Sequence, residues 1–427
     1  MGRATRRRFL AASLAAGTIP WAWGEDAGGD MADGSMIVAW SRALLDAVKA
    51  SAFSPCLTSR ALAIIHAAAH DAFSTQSGKG STLSPEGGLT QPAAPPAAAM
   101  AAAAAAASLV LFPTHRPAFE ALLQKQLGMF PPDSKAAAMA SGSVWAEAHL
   151  AHRADDGASR AITYVPVNLP GRWRRTPVRM RPPELPHWAQ LRPFSLTSGS
   201  QFRCGPPPAL TSPEYAEGWL RTRDYGRARK SERTPEETLI AKFWSCFSYT
   251  VTPAGHWCEI LHGVVRDRQM SLASAIRAFA LLSMATADAA IAAWDVKYTY
   301  EFWRPVHAIP LAQQDGNPLT EPEPGWMPLL ETPPHPEYIS GHSIFAQVGV
   351  EVLRSVLERD DISFHCRSDT VADVERPFTS LQSSADEMSV SRVLGGIHFP
   401  FSTSTGQSMG REVAKWTIEW MNQRVPV

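Results

Sequence analysis

The segment KYTYEFWRP, residues 297–305, carries two cations at a spacing suited to anion binding. Lys297 and Arg304 are seven residues apart, close to two helical turns, so the spacing predicts that both lie within about 20° of one helical face. Pro305 disfavours helical geometry at Arg304, which predicts that the guanidinium group lies at the helix end. Taken alone, this spacing is also typical of a solvated helix face.

A second segment, PPHPEYISGHSIFAQVGVEVLRSVL (residues 333–357), predicts the start of a helix that can bind an anion. The prolines stop at Pro336, and Ser340 then precedes a long apolar helical pattern, as an N-cap serine does. The amides of Gly341 and His342 would point out of the positive end of that helix, and Gly341 lets the backbone approach an anion closely. The alternative is an ordinary capped helix with His342 on its flank.

A third segment, SVSRVLGGIHFPFSTSTGQSMGREVAKW (residues 389–416), contains a further cation and a further histidine. The glycine pair at 395–396 predicts an interruption of the helix, so Arg392 and His398 need not follow helical spacing. Residues 402–404 are predicted to cap a final helix that runs through GREVAKWTIEWM. A lone histidine in such a position is also typical of simple packing.

The three segments together supply three formal positive charges, a helix N-terminus with a serine hydroxyl, and two histidines. This set suits a tetrahedral oxyanion such as phosphate or vanadate, because each arginine can bind two oxygens with its planar fork. The sequence therefore predicts one oxyanion site assembled from segments that are distant along the chain.

Helical periodicity dominates the chain and indicates an all-α fold. Apolar residues recur every three to four positions in residues 36–50, 59–73 and 271–303, whereas strand-like alternation is scarce. Prolines crowd the stretch from Tyr164 to Pro213. We therefore predict a helical bundle with long proline-rich loops. The predicted divisions are an export signal (1–24), an N-terminal helical half (25–163), a proline-rich loop region (164–234) and a C-terminal helical bundle that carries the oxyanion site (235–427).

Composition and the N-terminus indicate the setting in which the protein works. Lysine plus arginine and aspartate plus glutamate number 40 each, so the charge balance gives no argument for nucleic acid or an acidic membrane surface as partner. The start, MGRATRRRFLAASLAAG, resembles a twin-arginine export signal, which predicts a periplasmic or secreted protein. Beyond it, no stretch of 18 or more strongly apolar residues is uninterrupted, so no membrane span is expected in the mature chain.

Cysteines and the remaining histidines give weaker indications. The five cysteines are odd in number, so at least one is unpaired or pairs between chains, which leaves a homodimer open; Cys246 and Cys258 could close a short loop. His66, His70 and Asp71 have helical spacing that could suit a metal, but no third site residue is apparent, and burial is the favoured interpretation. Three further histidines are interpreted as packed or surface residues: His256, His307 and His335.

The anion-binding residues form an ordered three-part pattern in the sequence: Lys297, six residues and Arg304-Pro305; then Ser340-Gly341-His342; then Ser391-Arg392, five residues and His398. This pattern resembles the signature shared by vanadium-dependent haloperoxidases and the related acid and lipid phosphatases. Segments such as SRALAIIHAAAHDAF and AAWDVKYTYEFWRPVHAI also look like the soluble bacterial haloperoxidases, so the likeness covers nearly the whole mature chain. It implies a helical bundle, in agreement with the periodicity.

The resemblance also implies roles for the nucleophile and the cations. His398 would form the single covalent bond from the protein to vanadium, or would accept the phosphoryl group in a phosphatase. Lys297, Arg304 and Arg392 would hold the equatorial oxygens of the anion. Lys297 would in addition withdraw electron density from the peroxide.

The same resemblance implies roles at the helix start and exposes two departures. Ser340 and the Gly341 amide would add hydrogen bonds, and His342 would be the acid or base near the apical oxygen. Related chains usually carry an aspartate four residues after the ligand histidine, where it orients the ring; here that residue is Ser402. Ile339 replaces the proline that often precedes Ser-Gly-His.

Three functions are compatible with this resemblance. The first is a vanadate-dependent haloperoxidase, which oxidises halide with hydrogen peroxide to hypohalous acid that modifies an organic acceptor. The second is an exported acid phosphatase that uses His398 as its nucleophile and binds phosphate in the same site. The third is a non-catalytic oxyanion-binding relative, because Ser402 brings no negative charge to the histidine.

Overall fold

The computed structural model describes residues 33–78 and 81–426, and over these residues the protein is mainly helical, which confirms the predicted all-α class. The α-helices are α1 (Ser35–Ser51), α2 (Pro55–Gln76), α3 (Pro96–Leu111), α4 (Arg116–Leu127), α5 (Pro132–Ala154), α6 (Pro213–Gly226), α7 (Pro235–Phe243), α8 (Thr252–Asp267), α9 (Leu272–Tyr300), α10 (Pro305–Ala308), α11 (Gly341–Leu357), α12 (Leu381–Leu394) and α13 (Pro400–Arg424). The two strands are β1 (Phe364–Ser368) and β2 (Val371–Phe378), which pair antiparallel. The export signal predicted for residues 1–24 lies outside the described residues.

Proline begins seven of these helices. Its fixed φ and missing N–H suit the first helical position, where the backbone N–H has no partner within the helix. The proline-rich region predicted as loop, residues 164–234, contains irregular loops and also α6, which begins with Pro213. The division of the chain into four parts stays a prediction.

The central helix is α9. It packs against α2 from the N-terminal half and against α11 and α13 from the C-terminal half. Among the described residues α9 is the one helix that is long and apolar enough to cross a membrane, but 94% of its most apolar window is buried inside the protein. A helix with neighbours on all sides needs no polar face, so the apolar run is explained by its position in the core.

The alanine-rich helix α3 shows why small residues fill the N-terminal half. Its alanines from Ala98 to Ala105 are buried, and α3 packs closely on α5. At Gly142 of α5, an added Cβ would lie 2.5 Å from the Cβ of Ala102. The two backbones therefore approach more closely than larger side chains would permit.

All five cysteines are free, and four of them are buried, so Cys246 and Cys258 do not form the disulfide that their spacing would allow. Asp71 binds the two histidines near it in space: its carboxylate oxygens lie 2.9 Å from His70 Nδ1 and 2.8 Å from His149 Nε2. It also accepts the backbone N–H groups of Leu83 and Ser84. Asp71 thus joins two helices and a loop through buried hydrogen bonds. No group of three or more metal-ligating side chains occurs in the described part of the chain.

Candidate active site

Ends of α9, α11, α12 and α13 meet on one side of the core and bring the predicted anion-binding residues together. Five of these residues have side chains that are almost fully buried: Lys297 (0% exposed), Arg304 (0%), Ser340 (0%), Arg392 (1%) and His398 (2%). The remaining two, Gly341 and His342, are partly exposed at the first turn of α11. The three sequence segments thus lie on one side of the core, and the assignment of these residues to anion binding stays a prediction.

A cavity of about 80 Å³ opens beside this cluster and has room for one tetrahedral oxyanion or a few waters. Four of the predicted residues line it: Gly341, His342, Arg392 and His398. His335, which the sequence suggested to be a packed or surface residue, lines it as well. The lining also includes the aromatic residues Phe247 and Trp294 and the acidic residue Glu184.

His398 is held by a cation on one ring nitrogen and a carboxylate on the other. Its Nε2 lies 3.1 Å from Nη1 of Arg304. An arginine can only donate, so Nε2 carries the lone pair, and Nδ1 then carries the proton. That Nδ1–H donates to Oε1 of Glu337 at 2.8 Å. Burial, followed by the positive charge of Arg304, lowers the pKa of His398 well below its usual value, which keeps the imidazole neutral.

Lys297 and Arg304 lie directly behind the cavity. Nζ of Lys297 donates to the carbonyl oxygens of Pro336 and Glu337, both at 3.0 Å, and to that of Ile339. Arg304 donates through Nε to the His335 carbonyl at 2.9 Å. Both cations therefore hold the chain segment just before α11. Burial, and then the charge of Arg304, lower the pKa of Lys297 well below its usual value.

The prediction that Lys297 and Arg304 share one helical face was wrong. Helix α9 ends at Tyr300, because Glu301 adopts a left-handed conformation with φ 52°. Arg304 has extended backbone (φ −84°, ψ 154°) and is the N-cap residue of α10. The two cations converge because each donates to backbone carbonyls of residues 335–339.

The start of α11 has the geometry that the sequence predicted. Ser340 is the N-cap residue, and its hydroxyl accepts hydrogen bonds from the backbone N–H of Ser343 at 3.3 Å and from its hydroxyl at 3.0 Å. At Gly341 an added Cβ would meet no atom within 4 Å. Open space therefore lies directly in front of the positive end of the helix, where an anion is stabilised.

His342 and Arg392 line the cavity and contact each other directly. Nη1 of Arg392 and the carbonyl oxygen of Ser245 both lie 3.3 Å from His342 Nε2. The guanidinium can donate to the neutral ring, and the carbonyl can accept from the protonated ring. Burial, followed by the charge of Arg392, lowers the pKa of His342 well below its usual value, whereas the Ser245 carbonyl opposes this shift. Burial lowers the pKa of Arg392 to about 10, so it stays charged at neutral pH.

The glycine pair at 395–396 follows the end of α12 and interrupts helical structure between Arg392 and His398, as predicted. Gly396 has φ 74°, and an added Cβ there would lie 2.3 Å from the Gly226 carbonyl oxygen, so the turn needs glycine on both grounds. The next helix, α13, begins at Pro400 and not after a cap at residues 402–404, which lie in its first turn. Proline at the first helical position determines this earlier start.

Glu337 was missed by the sequence reasoning. Its side chain is fully buried, and burial raises the pKa of its carboxyl to about 7, against the opposing charge of Arg304. The residue that was expected to touch the histidine, Ser402, has its hydroxyl 3.4 Å from His398 Nδ1. Two features of the sequence could have pointed to Glu337. Residue 402 carries no carboxyl group, and a glutamate lies three residues before Ser340-Gly341-His342.

These residues fit a tetrahedral oxyanion. Arg392, the N-terminus of α11 and the lone pair of His398 Nε2 border one small cavity, and Gly341 leaves the helix end uncovered. The cations behind the cavity carry positive charge that two carboxyl groups, those of Glu337 and Glu184, partly balance. An anion would offset that excess charge.

Comparisons with known proteins agree with this arrangement. The family model described as the VCPO second helical-bundle domain matches residues 277–426. A vanadium chloroperoxidase from Curvularia inaequalis is 25% identical over 231 residues, which are 48% of this chain and 37% of that protein. The match thus spans little more than a third of the length of this relative.

Solved structures extend the likeness to almost the whole chain. A structure described as the first bacterial vanadium-dependent iodoperoxidase superposes with a TM-score of 0.79 at 27% identity, and the alignment covers 92% of this chain and 97% of that chain. A holo-type bacterial vanadium-dependent chloroperoxidase gives a TM-score of 0.69 at 17% identity, with 88% and 94% covered. At that lower identity the second match shows the shared fold alone.

Proposed function

We propose that this chain, which belongs to the vanadium-dependent haloperoxidase family, uses vanadate and hydrogen peroxide to oxidise halide to hypohalous acid. The observation that supports the proposal most directly is that His398, whose Nε2 lies 3.1 Å from the Arg304 guanidinium, lines one cavity together with Arg392 and with Gly341 at the N-terminus of α11. A lone pair at that position is what a metal ligand requires.

The residues present would hold vanadate in the following way. His398 Nε2 would ligate vanadium, while Arg392 and the amide of Gly341 would donate to its oxygens. Arg304 and Lys297, immediately behind, would stabilise the negative charge. When bound, vanadate supplies a Lewis-acid centre that activates hydrogen peroxide toward attack by halide.

His342 is the residue of the cavity best placed to move a proton. Its Nε2 has a donor, Arg392, and an acceptor, the Ser245 carbonyl, at the same distance of 3.3 Å. Each protonation state of the ring therefore has a partner, as an acid–base group needs. We assign His342 the transfer of protons to and from the oxygen atoms on the cavity side.

The likeness to haloperoxidases supports hydrogen peroxide, halide and an organic acceptor as the reactants. The twin-arginine-like start of the chain supports export to the periplasm or the medium. Lys297 donates its N–H groups to three backbone carbonyls, so it would act on a bound anion through its charge and by holding residues 336–339 in place.

The test is an assay of full-length protein, purified in its folded state, for oxidation of iodide and of bromide by hydrogen peroxide. We expect turnover that depends on added vanadate and is abolished by His398→Ala. A matched control is His365→Ala, because His365 lies exposed on β1, and it should keep full activity. Turnover that persists in His398→Ala would contradict the proposal.

The same preparation distinguishes the alternatives. Hydrolysis of an aryl phosphate that requires His398 and is inhibited by vanadate, without halide oxidation, would identify a phosphatase. Phosphate binding without either activity would identify a non-catalytic relative.

A further inference from the structure

In this chain the carboxyl group that contacts His398 does not come from the position expected for the orienting carboxylate, residue 402. In the three-part pattern the orienting carboxylate would come from residue 402, but residue 402 of this chain is a serine. In the folded protein the nearest carboxylate comes from the segment before α11: Oε1 of Glu337 lies 2.8 Å from Nδ1 of His398, and the Ser402 hydroxyl lies at 3.4 Å. The stronger contact of the ring is therefore with Glu337.

The Glu337 carboxylate is fixed in this position from several sides. Its Oε1 also accepts the backbone N–H of Phe399, at 3.0 Å. Its own backbone N–H donates to the Phe302 carbonyl at 2.9 Å, and its carbonyl accepts from Lys297 Nζ at 3.0 Å. With 0% exposure, the side chain has no freedom to turn toward solvent.

Ser402 is complementary to this arrangement. Its hydroxyl lies near the Glu337 carboxyl and lowers the pKa of that group, against the larger raising effect of burial. Ser402 is fully buried, so an aspartate there would place a second carboxylate against Glu337 without water to separate the charges. A carboxylate at residue 337 is therefore compatible with a small neutral side chain at residue 402 and is opposed by a second carboxylate there.

We propose that Glu337 is the positioning residue that fixes the ring orientation of His398 and, together with Arg304, its Nδ1–H tautomer, and so directs the Nε2 lone pair toward the anion. Glu337 thereby replaces the aspartate four residues after the histidine. The inference rests on the proposed function for its vanadate-binding consequence. Its consequence for the tautomer of His398 holds without any vanadate.

The first measurement is the tautomer in vanadate-free, full-length protein labelled with ¹⁵N-histidine. Long-range ¹H–¹⁵N spectra distinguish a protonated Nδ1 from a protonated Nε2, and the His398 signal is identified by its loss in His398→Ala. We expect the Nδ1–H form in the natural chain, where Arg304 and Glu337 both favour it, and a measurable share of the other tautomer in Glu337→Gln, where only Arg304 still favours it. An unchanged Nδ1–H signal in Glu337→Gln would overturn the proposal.

The second measurement is vanadate affinity by calorimetry for Glu337→Gln, for Ser402→Asp and for the two together. Loss of such an orienting partner weakens metal binding by roughly 10- to 100-fold, and we expect this for Glu337→Gln. Ser402→Asp should weaken binding in the natural chain but recover most of the loss when combined with Glu337→Gln. Failure of the double variant to recover affinity would overturn the relocation.

Two comparisons separate positioning from folding. Asp71→Asn is the matched control, because it removes another buried carboxylate that binds histidine, outside the cavity; it should lower the thermal midpoint and leave vanadate affinity unchanged. If Glu337→Gln does not fold, Ser402→Asp alone decides: tighter vanadate binding would show that the orienting place was vacant and would overturn the proposal, and weaker binding would support it. If the natural chain binds no vanadate, the proposed function fails, and the tautomer measurement still tests Glu337.

Discussion

The two histidines of the cavity have different partners and therefore suit different tasks. His398 has a carboxylate at Nδ1 and a guanidinium at Nε2, so its proton is fixed on the side away from the cavity. Within residues 33–78 and 81–426, no carboxylate contacts His342, and its Nε2 lies between Arg392 and a carbonyl oxygen. The first arrangement suits a ligand and the second suits a group that gains and loses a proton.

This difference predicts the behaviour of His342→Gln. The variant keeps a polar side chain but cannot exchange protons, so we expect kcat for halide oxidation to fall by roughly 10²- to 10⁴-fold. Vanadate affinity should change far less, because Arg392 and His398 remain. Stopped-flow or steady-state kinetics measure the loss in kcat, and a vanadate titration measures the change in affinity. Equal losses in affinity and in kcat would show that His342 binds the anion and does not move protons.

Most residues of the site could be predicted from their spacing, and Glu337 shows where that approach ends. Arg392, Gly341 and His398 lie in short ordered motifs, so type and order were sufficient to name them. Glu337 acts through a contact with a residue 61 positions later in the chain. No local pattern encodes such a contact, and only the fold of the segment before α11 creates it.

At the scale of elements, α11 carries both the anion-binding end and the packing that holds it. Its first residue, Gly341, has open space in front of it, whereas Gly349, two turns later, is in close contact with the Trp257 ring of α8. An added Cβ at Gly349 would lie 2.0 Å from a ring atom of Trp257. The two glycines of one helix thus serve binding and packing separately.

Gly341→Ala is predicted to weaken anion binding without destabilising the protein. The methyl group meets no protein atom within 4 Å but enters the space before the helix end. We expect vanadate affinity to fall by at least about tenfold, since the methyl group would lie beside the backbone amide that is proposed to donate to the anion. Calorimetric titration with vanadate measures this. Unchanged affinity would show that the anion does not approach this helix end.

The matched variant in the same helix, Gly349→Ala, should have the reverse effect. Overpacking a filled core typically costs about 1–3 kcal/mol, and the 2.0 Å approach to Trp257 places this site at the upper end or above. Urea unfolding measures the loss. A Gly349→Ala protein as stable as the natural chain would show that α8 and α11 can separate freely.

The elements were easier to predict than their ends. The period of three to four residues marked α1, α2 and α9, because one apolar stripe or more must be buried. The end of α9 was predicted wrongly, because Glu301 adopts a left-handed conformation that few sequence signals mark in a non-glycine residue. The start of α13 was misplaced for the related reason that Pro400 begins the helix before the serines could cap it.

At the scale of the whole molecule, one apolar core extends from α1 to α13, with α9 through its centre. This core also encloses polar side chains that the proposed reaction does not use. Among them are three histidines that burial keeps neutral: burial lowers the pKa of His66 to about 3 and the pKa values of His256 and His307 to about 4. The bundle architecture could be predicted from periodicity, but these environments depend on which helices surround each ring.

Buried neutral histidines predict that the protein loses stability in mild acid. In the unfolded chain a histidine has a pKa of about 6.5, whereas His66 in the folded chain has a pKa of about 3. Between these values the unfolded state binds more protons, so stability is fully present above about pH 6.5 and falls as the pH is lowered toward 3. For His66 alone the loss between pH 7 and pH 4.5 is about 3 kcal/mol.

Urea unfolding of the natural chain and of His66→Gln at pH 7, 6, 5 and 4.5 measures this contribution. We expect His66→Gln to be less stable at pH 7, because it disturbs a buried ring bonded to Ser283 at 2.7 Å, but to lose less stability on acidification. The control is the neighbouring Ile65→Val, which removes a methylene from the buried face of the same helix and should lower stability equally at every pH. Parallel pH profiles for His66→Gln and Ile65→Val would mean that His66 does not hold a proton-free state in the core, since only a titrating group can change the slope of stability with pH.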